Sequence, residues 1–170
     1  MNIYEANNGE GFILKEEAKN TADRNVKIKK LYDDAIIPHK GSNKAAAYDV
    51  HAYLPDKTEV EIKAHETVKI GTGLSMAPPE GYFVGVYARS GLSTKEGLRP
   101  ANCVGVCDED YRGEYIVALH NDSRVKNVVK HGDRIGQIIL QKRYEMDFVE
   151  VEELDDTERG DGGFGSTGVN

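Results

Sequence analysis

The chain has no tryptophan, only two cysteines and five prolines, and aromatic residues make up 8% of it. It lacks an apolar run of the roughly 18 residues that a membrane-spanning helix needs. Two cysteines cannot build a disulfide framework. Cys103 and Cys107 are spaced C-x-x-x-C with no second pair and no neighbouring histidine motif, so a zinc ion would find half its ligands. Buried free thiols are the expected reading, and reducing conditions suit it. Basic residues are also in deficit: 22 Lys and Arg stand against 29 Asp and Glu, for a net charge of -7. Binding to a nucleic acid or an anionic membrane surface needs a broad basic face, so neither is expected as a partner. The first residues (MNIYEANNGEGFILKEE) show no basic stretch followed by an apolar one, and a soluble, cytoplasmic protein is expected.

What is present is β patterning. At 170 residues one domain with its own core fits comfortably. Short runs rich in β-branched and aromatic residues recur between turn signals: Val26 to Lys29, Val60 to Lys63, Tyr82 to Tyr87, Tyr115 to His120, Ile135 to Leu140 and Phe148 to Val151. Apolar and polar residues alternate in several, which marks half-buried strands of a sandwich, barrel or jelly roll. Helix is confined to Lys15 to Ala22 and to a turn or two within Ser90 to Glu96, where Gly97 supplies a stop. Residues 1–25 are polar without β alternation and read as an N-terminal arm of unassigned role. Residues 26–154 form the β domain. Residues 155–170 (DDTERGDGGFGSTGVN) hold five glycines and one aromatic, too little apolar surface to fold alone.

Five stretches carry the chemistry, in this order: Ala46 to Val50, Arg89 to Leu92, Gly105 to Glu114, Gly132 to Gln137, and Arg159 to Gly168. In the third, the apolar runs Cys103 to Cys107 and Tyr115 to Leu119 flank a polar, glycine-containing connection, which predicts a β-hairpin. Backbone groups at fixed spacing in such a hairpin can select one ligand edge over another, because a wrong partner leaves buried polar groups unpaired at about 1 to 3 kcal/mol each. The last stretch contains G-x-G-x-x-G, but only Val169 and Asn170 follow it. A dinucleotide site needs a helix there, so that reading fails.

The five stretches in order resemble the motifs of the trimeric dUTPase family. The resemblance implies an all-β, distorted jelly-roll barrel that assembles as a homotrimer with shared active sites. It also implies hydrolysis of dUTP to dUMP and pyrophosphate. On this likeness Asp108 orients the water that attacks the α-phosphorus, with positioning outweighing proton abstraction because an ordinary carboxylate is a weak base. Asn102 and the hairpin backbone from Gly105 hold the base, and Tyr111 lies under the deoxyribose. Arg89, Ser90, Gly91 and Gln137 meet the phosphates. Asp49 reaches Mg2+ through water, while the triphosphate supplies most of the inner ligands. Phe164 stacks on uracil, and Arg159, Gly165, Ser166 and Thr167 close over the phosphates as a lid. The hairpin, the phosphate residues and the tail would come from three different subunits.

Ala47, Ala88, Cys107 and Gly136 depart from the family's usual residues, each beside a chemical group and not at one. Two other functions share parts of this picture. A dCTP deaminase has the same fold but lacks the glycine-rich tail. A nucleotide-responsive regulatory module would use residues 1–25 as the surface for a protein partner.

Overall fold

Alternation dominates the architecture that these residues adopt. A computed structural model of the chain describes residues 4–6, 12–14 and 24–163; the helix expected over Lys15 to Ala22 lies outside them. The strands are β1 (Tyr4–Ala6), β2 (Phe12–Leu14), β3 (Lys27–Lys30), β4 (Tyr48–His51), β5 (Glu59–Ile62), β6 (Thr67–Ala77), β7 (Tyr82–Tyr87), β8 (Leu98–Pro100), β9 (Val104–Cys107), β10 (Glu114–Asn121), β11 (Asn127–Lys130) and β12 (Arg134–Lys142). One short helix, α1 (Ser90–Lys95), follows β7, and Gly97 with φ +70° sits just past its end. Glycine takes that left-handed conformation without a Cβ penalty, which is how it stops the helix.

Two four-stranded sheets, ordered β3-β6-β10-β8 and β4-β12-β7-β9, are accompanied by the pairs β5-β11 and β1-β2. All strand pairs are antiparallel. In β10, Tyr115, Val117, Leu119 and Asn121 are buried while the residues between them are not. That period of two turns one face to the core. The core draws Val50, Val84, Val86, Ile135 and Ile138 from one large sheet and Ile70, Met76, Leu98, Tyr115, Val117 and Leu119 from the other. The sheets therefore face each other across a single apolar layer, an all-β sandwich of jelly-roll type.

Four expectations need correction. Phe148 to Val151 is not a strand; Phe148 and Val149 are among the most exposed apolar residues of the described chain. Alternation alone does not make a strand, and this segment pairs with none of the described strands. Cys103 is exposed, at φ +62° in the turn closed by its N–H to Pro100 O, so only Cys107 approaches the buried thiol expected of both. The first 25 residues do include β structure, since β1 pairs with β2 from Tyr4 opposite Leu14 to Ala6 opposite Phe12. Lastly, β9 and β10 do not form a hairpin ladder: β9 pairs with β7, and β10 with β6 and β8. The two arms belong to different sheets and splay apart.

Candidate active site

That splay creates the first of two clefts. A cavity of about 220 Å3 opens between the arms, lined by Asn102, Gly105, Asp108, Tyr111, Glu114 and Ile116 among others. This is below the roughly 300 Å3 at which sites for whole ligands begin, so it has room for part of a nucleotide. The connection is tightly shaped. Tyr111 N–H donates to Asp108 O at 3.2 Å, and the Tyr111 hydroxyl donates to Glu114 O at 2.9 Å. A Cβ on Gly113 would stand 2.4 Å from that hydroxyl, so only glycine lets the ring lie across the loop. A Cβ on Gly105 would stand 3.1 Å from Val86 Cβ and 3.2 Å from Asn102 Nδ2, so the same economy of space seats Asn102.

Asp108 is exposed. Its neighbour Cys107 is half-buried, and burial, with the Asp108 charge adding to it, pushes that thiol up to about 11. Beneath the loop the Tyr115 hydroxyl is buried with no partner among the described residues, and burial raises its pKa.

The second cleft lies at the β4-β12-β7-β9 sheet. A cavity of about 420 Å3 is lined by Asp49, Arg89, Ser90, Gly91, Arg134 and Gln137, with Gly41 and Ala45 to Ala47 along its rim. The register explains the gathering. Gln137 on β12 lies opposite Asp49 on β4 and opposite Tyr87 on β7, and residues directly opposite across a ladder share a face. Two residues beyond Tyr87 comes Arg89, the residue before α1. Arg89 Nε donates to Asp49 Oδ1 at 2.8 Å and Arg134 Nη1 to Asp49 Oδ2 at 3.2 Å, with the Asp49 side chain only 12% exposed. The helix start has no side-chain cap, which leaves first-turn N–H groups at Ser90 and Gly91 without one. Gly91 has open space where a Cβ would be. Gln137 Nε2 donates to Ala88 O at 2.7 Å. Buried beside Asp49, His51 is held below the usual histidine value by desolvation first and by the stacked His39 ring second.

Asn102, Gly105, Asp108 and Tyr111 are thus brought together in one cleft, and Asp49, Arg89, Ser90, Gly91 and Gln137 in another. The two sets are not brought together within one chain. Arg159 joins neither; its Nε donates to Gly162 O at 2.8 Å within its own turn. Phe164, Gly165, Ser166 and Thr167 lie outside the described residues. Arg134 and Glu114 were missed as site residues, although both stand inside quoted motifs. An arginine placed opposite the strand of Asp49 and a glutamate closing a glycine-containing loop were the available signals. Among the described residues no group of three or more His, Cys, Asp or Glu could hold a metal ion, and no helix is long and apolar enough to cross a membrane.

Comparison with known proteins identifies the family. The dUTPase family model matches residues 33–168. The chain is 46% identical over 143 residues to a deoxyuridine 5'-triphosphate nucleotidohydrolase of Arabidopsis thaliana, covering 84% of this chain and 82% of the relative. It is 44% identical to the enzyme of the same name from Nautilia profundicola, over 84% of this chain and 98% of that one. Among solved structures, the dUTPase of Staphylococcus bacteriophage 80alpha with dUPNHPP superposes with a TM-score of 0.72 at 25% identity, covering 85% of this chain and 99% of the phage chain. A mutant dUTPase from phage phi11 of S. aureus, described with a structural Mg(II) ion, shares the fold at a TM-score of 0.67 and 20% identity, over 78% of this chain and 99% of that one. With its motifs in order, its site residues gathered in two clefts and the family match spanning most of its length, the chain belongs to the dUTPase family.

Proposed function

We propose that this chain hydrolyses dUTP to dUMP and pyrophosphate at sites completed between subunits. The observation that carries this reading is the division of the site residues into two clefts on one chain. A base cleft without phosphate ligands and a phosphate cleft without the water-orienting carboxylate become one site when two copies meet. The glycine-rich tail of a third copy then closes it. A homotrimer with three equal sites satisfies this requirement.

In the base cleft, the free backbone edges of the splayed arms meet the uracil edge, with Asn102 assisting. They exclude cytosine because its amino group puts a donor where uracil accepts. Tyr111, held flat by its bond to Glu114 O, forms the floor under the deoxyribose. Asp108 is free of side-chain partners among the described residues and orients a water for in-line attack on the α-phosphorus, so positioning supplies most of its effect. In the phosphate cleft, Arg89 has its Nε committed to Asp49 and its Nη1 donating to Arg134 O at 3.5 Å, which leaves Nη2 for phosphate oxygens. Ser90 and Gly91 add hydroxyl and N–H donors, and the second N–H of the Gln137 amide adds another. Arg159, Phe164, Gly165, Ser166 and Thr167 of the tail exclude water and lend charge and stacking as they close.

The donor set suits a hard cation carried by the substrate. Asp49 is the one carboxylate lining the phosphate cleft, and each of its oxygens keeps a lone pair beyond the arginine bond it accepts. It would hold Mg2+ through water, and the ion would supply neutralisation of phosphate charge.

Pyrophosphate release from dUTP, dCTP, dTTP and UTP, with magnesium and with a chelator, tests the proposal. Strong preference for dUTP, loss of turnover without the metal and a native mass of three chains are expected. Full activity in a monomer would defeat the shared-site arrangement.

A further inference from the structure

The loop that carries Asp108 and Tyr111 is anchored from outside the cleft. Gly81 N–H donates to Glu109 Oε2 at 2.8 Å, holding the loop's first half. The second half is held by β6. Thr72 Oγ1 donates to Tyr115 O at 2.7 Å, Gly73 N–H to Glu114 Oε1 at 2.7 Å, and Ser75 Oγ to Arg112 O at 2.8 Å. These donors sit at a break in the β6–β10 ladder, where Glu114 pairs with Ser75 but Ile116 pairs with Gly71. The surplus residues of β6 form a bulge, and a bulge leaves N–H groups without ladder partners.

Glu114 takes up one of them. Its carboxylate lies where two glycines make room: a Cβ on Gly71 would stand 2.4 Å from Oε1, and Gly73 adopts φ +67° with Ala35 and Tyr53 packed against it. Neither glycine lines the base cleft, yet Glu114 does. The same residue's backbone carbonyl accepts the Tyr111 hydroxyl. The Tyr111 ring therefore rests on a residue whose side chain is clamped to β6 by a charge-assisted bond.

We propose that Glu114 is a positioning residue: seated on Gly71 and Gly73 at the β6 bulge, it fixes the height of the Tyr111 ring and thereby the discrimination of deoxyribose from ribose. The inference rests on the reading of Tyr111 as the floor of the sugar site. Nothing in it bears on the uracil edge, so base selection is separable from it. Shortening the side chain removes the bond that holds Glu114, and with it the Tyr111 ring, in place.

The test compares kcat/KM for dUTP, UTP and dCTP in the full-length assembled enzyme and in four variants. Glu114→Ala should raise the UTP to dUTP ratio roughly ten-fold, the effect of one charge-assisted hydrogen bond, with the dCTP to dUTP ratio unmoved. Glu114→Gln keeps the Oε1 acceptor and should restore the wild-type ratio. Gly71→Ala leaves every cleft residue intact while displacing the carboxylate, and should shift the ratio in the same direction as Glu114→Ala; it decides alone if Glu114→Ala does not fold. Tyr111→Ala is the control for the reading beneath the inference. If it relaxes sugar choice while the Glu114 and Gly71 variants merely lower turnover on every nucleotide alike, the positioning role is overturned and the Tyr111 reading stands. If Tyr111→Ala leaves the ratio unchanged, the floor itself is wrong and this inference goes with it.

Discussion

The two clefts are built from opposite materials. In the phosphate cleft the charged side chains bind one another: Asp49 joins Arg89 and Arg134, and Gln137 is committed to Ala88 O. In the base cleft the side chains bind backbone and not one another, and the shape is held by those bonds, by Gly105 and Gly113, and by anchors on β6 and Gly81. On the proposed reading the difference follows from what each cleft would meet. A polyanion needs cations, and cations gathered in advance require a counter-ion, so Asp49 holds the arginines until the ligand arrives. A base edge needs rigid dipoles at fixed spacing, which a braced loop supplies from its backbone.

The sharpest way to break the contrast is at Asp108, the carboxylate that stands free. Asp108→Asn keeps the size and removes the charge, so kcat should fall by roughly 100-fold or more, the scale of positioning and general-base terms. Nucleotide binding should persist, and single-turnover hydrolysis beside a dUMP binding isotherm checks both. Near-normal turnover would dissolve the role assigned to it.

Asp49 probes the opposite arrangement. Asp49→Ala leaves Arg89 and Arg134 facing each other without their counter-ion, and stability should fall by about 2 kcal/mol, less than a fully buried pair would lose because Arg134 is half exposed. KM for dUTP should rise as Arg89 loses its orientation. Unchanged thermal unfolding in this variant would mean that the arginines need no anchor.

The thiols sharpen the comparison within the base cleft itself. Cys107, pushed up to about 11 by burial and by Asp108, carries roughly one thiolate in a thousand at pH 8, whereas exposed Cys103 is open to reagent. Iodoacetamide at that pH should label Cys103 first, as peptide mass mapping would show. Asp108→Asn removes the charge that helps suppress the Cys107 thiolate and should speed its labelling. Equal rates in the two proteins would separate the two groups.

The smallest effect concerns Gly136, which lies buried on β12. A Cβ there would meet Val50 at 3.4 Å, Tyr87 O at 3.5 Å and Val117 at 3.7 Å, all ordinary contact distances. Gly136→Ala should therefore stabilise by about 0.5 kcal/mol through a less flexible unfolded chain, read as a small rise in thermal midpoint with kcat unchanged. A loss of stability would mean that the strand cannot yield even slightly there.

Much of this was legible in particular residues. The apolar, aromatic-rich run from Tyr82 to Tyr87 marks β7 to the residue, and Gly97 ends α1 where its positive φ permits. The longest strand, β6, escaped notice because Gly71 and Gly73 interrupt its pattern; those glycines are there to admit Glu114. Cys103 reads as apolar and buried in a run of neighbours, but the turn that brings it to the surface depends on Pro100 O. The mutual service of Asp49 and Arg134, 85 residues apart in sequence, has no local trace.

By itself the sequence determined the all-β class, the order of the five motifs, the inventory of chemical groups and the local turns, because side-chain alternation and backbone preference act over a few residues. The tertiary structure alone decided that β9 and β10 part into different sheets, that the site residues divide between two clefts, and that Glu114 and Arg134 belong to them. Strand partners and close approaches are chosen by burial and hydrogen-bond satisfaction across the whole chain, and no window of sequence contains that competition.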